Sequence, residues 1–436
     1  MNGTARYEGT NRMGKSRSAR WLPTWNVSGA WNAHEEKFFS NLTSVLSHFT
    51  LKASYSLTAD RGPADVTNSQ AIITSYSPYR PFTSIQESGL YIKELENSEL
   101  TYEKKHELNI GADMGFLNNR INLAVDWYKR NNYDLIGIVN TQGAGGQILK
   151  YANIASMKSH GIEFTLSTKN IKTKDFNWNT DFIFSNAKNE VTDLKQNANV
   201  MELISGNGFA KQGYPVRGLF SIPFVGLDKD GIPVIINEKG EATSTDINFQ
   251  ERQNTGFLKY EGPTDPTITG SLGNMFSYKG FRLNLFITYS FGNVIRLNPV
   301  FKAYYSDLTA MTREFKNRWT LPGDEAKTNV PAILSKRMYD SNEDLKYAYN
   351  AYNYSTERIA KGDFIRLKEI SLAYDFPKAW INPLKLTDLS LKVQATNLFL
   401  IYADDKLNGQ DPEFFNAGGV ASPVPRQFTI TLRLGL

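Results

Sequence analysis

The chain has no cysteine, which excludes disulfides, thiolate metal ligation and thiol catalysis and leaves the compartment open. Long apolar runs are also missing. Nothing approaches the roughly 18 consecutive apolar residues a membrane-crossing helix needs, and mean hydropathy over the 436 residues is −0.41. A helical membrane protein is thereby excluded. Charge of one sign is lacking too: 49 basic against 44 acidic residues leave +5, too mild and dispersed for a nucleic-acid partner. Histidine is scarce, with only His34, His48, His106 and His160, and His34-Glu35-Glu36 lacks the second histidine of a helical zinc motif. Residues 1–7 contain neither a basic n-region nor an apolar h-region, so the expectation from them is a chain carrying no export signal of its own.

What is abundant is alternation. In the last ten residues Phe428, Ile430, Leu432, Leu434 and Leu436 fall on one side of an extended strand, and Gln427, Thr429, Thr431, Arg433 and Gly435 on the other. The same period of two recurs at 2–8, 22–34, 49–58, 104–117, 119–132, 157–169, 176–188, 267–278, 281–293, 364–376 and 386–398. With the terminal strand this predicts twelve strands. Asn118-Asn119 and Lys279-Gly280 mark tight hairpin turns. Short connections alternate with mostly long ones, at 8–22, 58–104, 132–157, 188–267, 293–363 and 399–425, so short turns gather at one end and long loops at the other. Strands of ten or more residues exceed the roughly 5 or 6 usual in soluble sheets. They suit an antiparallel transmembrane β-barrel, apolar outside and polar within, whose strands need about 9 to 11 residues to cross a bilayer.

Catalytic chemistry finds no constellation. Ser271 lies in Thr269-Gly270-Ser271-Leu272-Gly273, which lacks the glycine two before the serine of a nucleophile elbow. Asp228-Lys229-Asp230-Gly231 lacks the first acidic ligand and closing glutamate of a calcium loop and reads as a hairpin turn. No catalytic residue, metal ligand or cofactor is therefore expected. The aromatic residues Tyr304, Tyr305, Tyr347, Tyr349 and Tyr352 could stack on sugar or hold peptide, although packing among long loops accounts for them more simply. Asp404, Asp405, Asp411 and Glu413 read as a solvated rim.

Ordered motifs add a family resemblance. They include Ala5-Arg6-Tyr7-Glu8-Gly9, Glu36-Lys37-Phe38-Phe39, Leu51-Lys52-Ala53-Ser54-Tyr55, Asn119-Arg120-Ile121 and Trp127-Tyr128-Lys129. Gly161-Ile162-Glu163-Phe164, Asn186-Ala187-Lys188-Asn189-Glu190-Val191 and Phe276-Ser277-Tyr278-Lys279-Gly280-Phe281 follow. Arg318-Trp319-Thr320, Phe364-Ile365-Arg366-Leu367-Lys368, Thr396-Asn397-Leu398-Phe399 and Pro423-Val424-Pro425-Arg426-Gln427-Phe428 complete them. Along essentially all 436 residues the chain resembles the C-terminal part of SusC/RagA family TonB-linked outer-membrane transporters of Bacteroidetes.

The resemblance implies one domain, 1–436, forming about the last twelve strands of a barrel of about 22 strands, with the plug absent and the long loops extracellular. It implies TonB-dependent import of oligosaccharide or peptide. A SusD-like surface lipoprotein, TonB acting through the missing plug region, outer-membrane lipid and the barrel-assembly machinery are the implied partners, the last reading Phe428, Ile430, Leu432, Leu434 and Leu436. Family members usually end in an aromatic residue, where this chain has Leu436. Alternatives from other classes are a soluble β-sheet carbohydrate-binding module and an outer-membrane barrel enzyme. The latter needs a clustered Ser/His/acid set that the sequence does not supply.

Overall fold

The computed structural model describes residues 1–63, 70–79, 81, 87–143, 148–300, 312–415 and 425–435. Its centre is a single twelve-stranded sheet in which every strand pairs antiparallel with its neighbour in sequence order. The strands are β1 (Asn2–Gly9), β2 (Trp21–Asn32), β3 (Leu46–Asp60), β4 (Glu103–Phe116), β5 (Ile121–Asn140) and β6 (Leu149–Lys172). They continue with β7 (Phe176–Leu194), β8 (Ile268–Tyr278), β9 (Phe281–Phe291), β10 (Phe364–Asp375), β11 (Asp388–Ala403) and β12 (Gln427–Gly435). All twelve expected strands are present. The turn between β4 and β5 uses positive φ at Leu117, Asn118 and Asn119. At the β8–β9 hairpin Tyr278 pairs directly with Phe281, leaving Lys279 and Gly280 at φ 45° and 90° as a two-residue turn.

Register carries the alternation across the sheet. Trp31, Leu51, Ala112, Val125, Phe164 and Phe184 face one another in succession on one side, and farther round the sheet Leu283, Leu372, Val393 and Ile430 do the same. Neither row is buried: Trp31, Leu51, Leu372 and Ile430 are 47%, 37%, 47% and 74% accessible. A water-soluble sheet would bury such a face, and a barrel turns it toward hydrocarbon. Aromatic pairs bound the apolar band. Trp25 and Tyr55 meet at 5.3 Å toward the long-loop end, while Trp178–Phe276 at 5.6 Å and Phe281–Tyr374 at 4.3 Å sit at the short-turn end.

β5, β6 and β7 run well past the expected ends at 132, 157 and 188. Residues 132–157, expected to be a long loop, mostly continue the ladder as a ribbon beyond the band, with a register shift between Asn132 and Leu135 where Asp134 takes φ 58°. The long connections are also folded. Small sheets pair Gly218–Ser221 with Lys259–Pro263, Phe224–Leu227 with Pro233–Ile236, and Val294–Arg296 with Ile359–Lys361. They surround a core of Val200, Leu203, Ile204, Phe220, Ile222 and Ala351, so two separate connections share one apolar interior.

The sheet is open. Among the described residues β1 pairs only with β2 and β12 only with β11, and no ladder joins residues 2–9 to residues 427–435.

Candidate translocation lumen and its loop layer

The face opposite the apolar band is polar and ion-paired. Lys52 meets Asp113 at 2.8 Å, and Glu107 takes Lys105 at 3.0 Å and Arg130 at 3.1 Å. Arg282 reaches Asp375 at 2.9 Å, and Ser167 donates to Asp181 at 2.6 Å. Each side chain sits one residue out of phase with the apolar rows, so the period of two that makes one face oily makes the other a hydrated wall. Arg130 also stacks over Tyr128, 4.1 Å from its centroid, and Tyr128 packs where only Gly161, lacking Cβ, leaves room.

Above this wall the long connections form a layer held by three buried arginines. Arg296 donates to the carbonyls of Ser355 at 2.8 Å, Phe220 at 2.6 Å and Ile204 at 3.3 Å. Burial pushes its pKa down to about 9. Arg358 grips Glu314 with both terminal nitrogens, at 2.6 and 3.0 Å, and donates to Asn298 O at 2.7 Å. Arg366, from the wall strand β10, is held by both Asp411 oxygens at 2.5 and 2.6 Å, with Glu413 at ion-pair distance, 3.3 Å. Removing an acceptor from such a buried guanidinium is expensive, because it leaves charge uncompensated. They fasten loop to loop and, through Arg366, loop to wall.

The structure redistributes the residues singled out in the sequence. Tyr349 and Tyr352, each 1% exposed, belong to the helix Leu345–Asn353 and pack inside the loop layer, so neither offers a ring face to a ligand. Tyr349 donates to Ala332 O at 2.8 Å, and Tyr352 meets Phe224 edge-on at 5.5 Å. Burial raises the pKa of both hydroxyls. Tyr347 remains at the surface, 39% exposed, with Lys346 5.2 Å over its ring. Tyr304, Tyr305 and Leu436 lie outside the described residues. Phe428, Ile430, Leu432 and Leu434 all face outward on β12, 55% or more exposed. Asp411 is a correction to the solvated rim: it is 4% exposed because it neutralises Arg366.

Asp228 forms the hairpin turn, accepting from the amides of Asp230 and Ile232 at 2.9 Å. His34 and His48, scattered in sequence, meet with tilted rings 4.2 Å apart. No group of three or more His, Cys, Asp or Glu able to hold a metal occurs among the described residues.

Sequence reasoning did not find a cleft of about 610 Å³ between wall and loop layer, lined by Thr288, Ser290 and Lys368 below and Arg217, Asp265 and Glu413 above. Arg217 is paired with Asp265 at 2.6 Å. The hydroxyls and the opposed charges suit a polar ligand bound through hydrogen bonds. One available signal was Lys368, at the bulge where the β10 register shifts.

Comparison with known proteins decides what kind of wall this is. No protein-family model matches the chain. TonB-dependent receptor P3 of Formosa agariphila is 25% identical over 430 residues, covering 94% of this chain and 40% of that protein. The TonB-dependent receptor SusC of Bacteroides thetaiotaomicron is 26% identical over 460 residues, covering 99% and 41%. This chain is SusC-like. It corresponds to the C-terminal part of such a protein and spans about two-fifths of the length of the curated relatives it matches. The structure described as the RagAB peptide transporter superimposes with a TM-score of 0.76 at 24% identity, covering 99% of this chain and 45% of that one. The RagAB peptide importer in its open-open state gives 0.77 at 23% identity. The fold is therefore that of a TonB-dependent barrel transporter, and its place is the outer membrane. No described helix is long and apolar enough to cross a membrane. The SusC-like relatives are receptors and transporters, not enzymes.

Proposed function

We propose that this chain is the barrel portion of an outer-membrane, TonB-dependent importer of oligosaccharide or peptide. The observation that carries the reading is a SusC-like sheet with an exposed apolar face, a hydrated inner face and a folded loop layer over the inner cleft. Residues 1–436 act as one domain whose long connections face outward, where a SusD-like surface lipoprotein caps them. TonB acts through a plug supplied by sequence outside these residues. The end strand, with Phe428, Ile430, Leu432 and Leu434 outward, is the segment the barrel-assembly machinery reads.

The chain does not transport alone. Each unpaired edge strands backbone N–H and C=O groups, and every such group left in hydrocarbon costs several kcal/mol. Complementary strands must close the wall. The test is uptake of labelled oligosaccharide and peptide libraries by cells carrying the complete protein. Uptake that requires both TonB and the proton-motive force is the expected result. Uptake unchanged when the protein or TonB is removed would overturn the reading.

A further inference from the structure

The outward face just beyond the apolar band carries two lysines and a histidine for which import has no use. Residues Ile110, Trp127 and Ile162 form one outward row across β4, β5 and β6. One step toward the long-loop end, the next outward row reads Leu108, Lys129, His160 and Lys188 across β4 to β7. The ladders between these residues and the apolar rows have no register shift, so all of them point the same way as Trp127. Lys129, His160 and Lys188 are exposed and make no ion pair or hydrogen bond among the described residues. The row beyond them, His106, Asn131, Lys158 and Glu190, contains its own pair, Lys158–Glu190 at 3.0 Å.

Position gives the cluster its meaning. Two residues along a strand advance about 7 Å, which lifts Lys129 from the level of an interfacial tryptophan to that of lipid headgroups. Lys129 and Lys188 are two strands apart, about 10 Å between backbones, so both flexible side chains can converge on one anion while His160 between them adds a hydrogen bond. On these same strands the opposite rim differs. There the outward row on the same strands is Phe116, Ile121, Thr168 and Thr180.

We propose that Lys129, His160 and Lys188 form a binding site for the phosphate-bearing headgroup of an outer-leaflet glycolipid, whose acyl chains lie against Trp127 and Ile162. The inference rests on the reading that the long-loop end faces outward. The complete protein is extracted from native outer membranes in mild detergent, and retained lipid is measured by native mass spectrometry. Titration with phosphorylated or enzymatically dephosphorylated glycolipid follows. Each basic residue near an anionic surface contributes enough that losing two lowers affinity about 30-fold. Lys129→Gln/Lys188→Gln is therefore expected to lose about 30-fold in affinity for the phosphorylated lipid alone, and Lys174→Gln, in a short turn, to lose none. Equal affinity of the double variant and the unaltered protein, or equal loss for both lipids, would overturn the site; normal heat-modifiable migration certifies folding. Residues 1–436 have no cysteine, so labelling of Lys229→Cys above that of the unaltered complete protein reports orientation separately. Absence of its labelling on intact cells, with labelling after lysis, would remove the outward reading and with it the basis of the proposal.

Discussion

Val125 and Ala124 are neighbours on a central strand with opposite surroundings. Val125 faces outward between Ala112 and Phe164, with Leu123 before it and Trp127 after it on the same face. Ala124 faces the lumen beside Asp113 and Thr165. An arginine at 125 meets hydrocarbon within the apolar band, at a cost of about 2 to 4 kcal/mol near the midplane. At 124 it meets water and the Asp113 carboxylate, which is 36% exposed and already paired with Lys52, so the effect stays within about 1 kcal/mol. The difference, about 1 to 4 kcal/mol, is a change of roughly 5-fold or more in the folding equilibrium. Both variants add the same charge at adjacent positions, so effects on net charge and synthesis cancel. Urea-dependent refolding of the complete protein into lipid vesicles, scored by heat-modifiable mobility, reads the equilibrium. Equal midpoints, or a larger loss for Ala124→Arg, would refute the assignment of the faces.

Three further outcomes are expected. Asp411→Ala removes both close carboxylate contacts of the buried Arg366 guanidinium, leaving it only Glu413 at 3.3 Å, and should destabilise the wall-to-loop junction by about 3 kcal/mol, read as faster hydrogen exchange around residues 404–415; Arg366→Met/Asp411→Leu should restore much of the protection. Tyr349→Phe removes the hydroxyl that donates to Ala332 O and should cost about 0.5 to 1.5 kcal/mol, whereas Tyr347→Phe should leave thermal stability unchanged in the same melting assay. Deleting residues 434–436 should abolish membrane insertion, and normal heat-modifiable migration of the truncated protein would contradict the role given to the end strand.

The barrel was legible because its solvent imposes a period. Wherever a strand crosses hydrocarbon, apolar and polar residues must alternate, and Phe428 to Leu434 or Leu51 to Leu57 display that in sequence. Beyond the band the constraint lapses. Residues 133–140 and 149–156 pair in water, include Asp134 at φ 58°, and so read as loop although the ladder continues. The loop layer was hidden for another reason. Its strands are two to five residues long, too short for periodicity, and its core joins residues as distant as Ile222 and Ala351. One signal went unused: Leu345, Ala348, Tyr349 and Tyr352 stand at i, i+3, i+4 and i+7, the stripe of a buried helix face, and all four are buried. The sequence allows these tyrosines a ligand platform beside the simpler packing reading because tyrosine serves both purposes.

The stitching of separate connections by buried arginines governs how such proteins can exchange parts. Arg296 leaves the chain after β9, yet the carbonyls it serves include those of Phe220 and Ile204, which lie between β7 and β8. The parallel bridge from Ile222 to Ser355 crosses the same gap. A chimera that grafts only residues 195–267 from a relative must still present carbonyls to that guanidinium, or it inherits a buried cation with no acceptor. The heritable unit of the roof is thus both connections together, and single-loop swaps between relatives should misfold where paired swaps succeed.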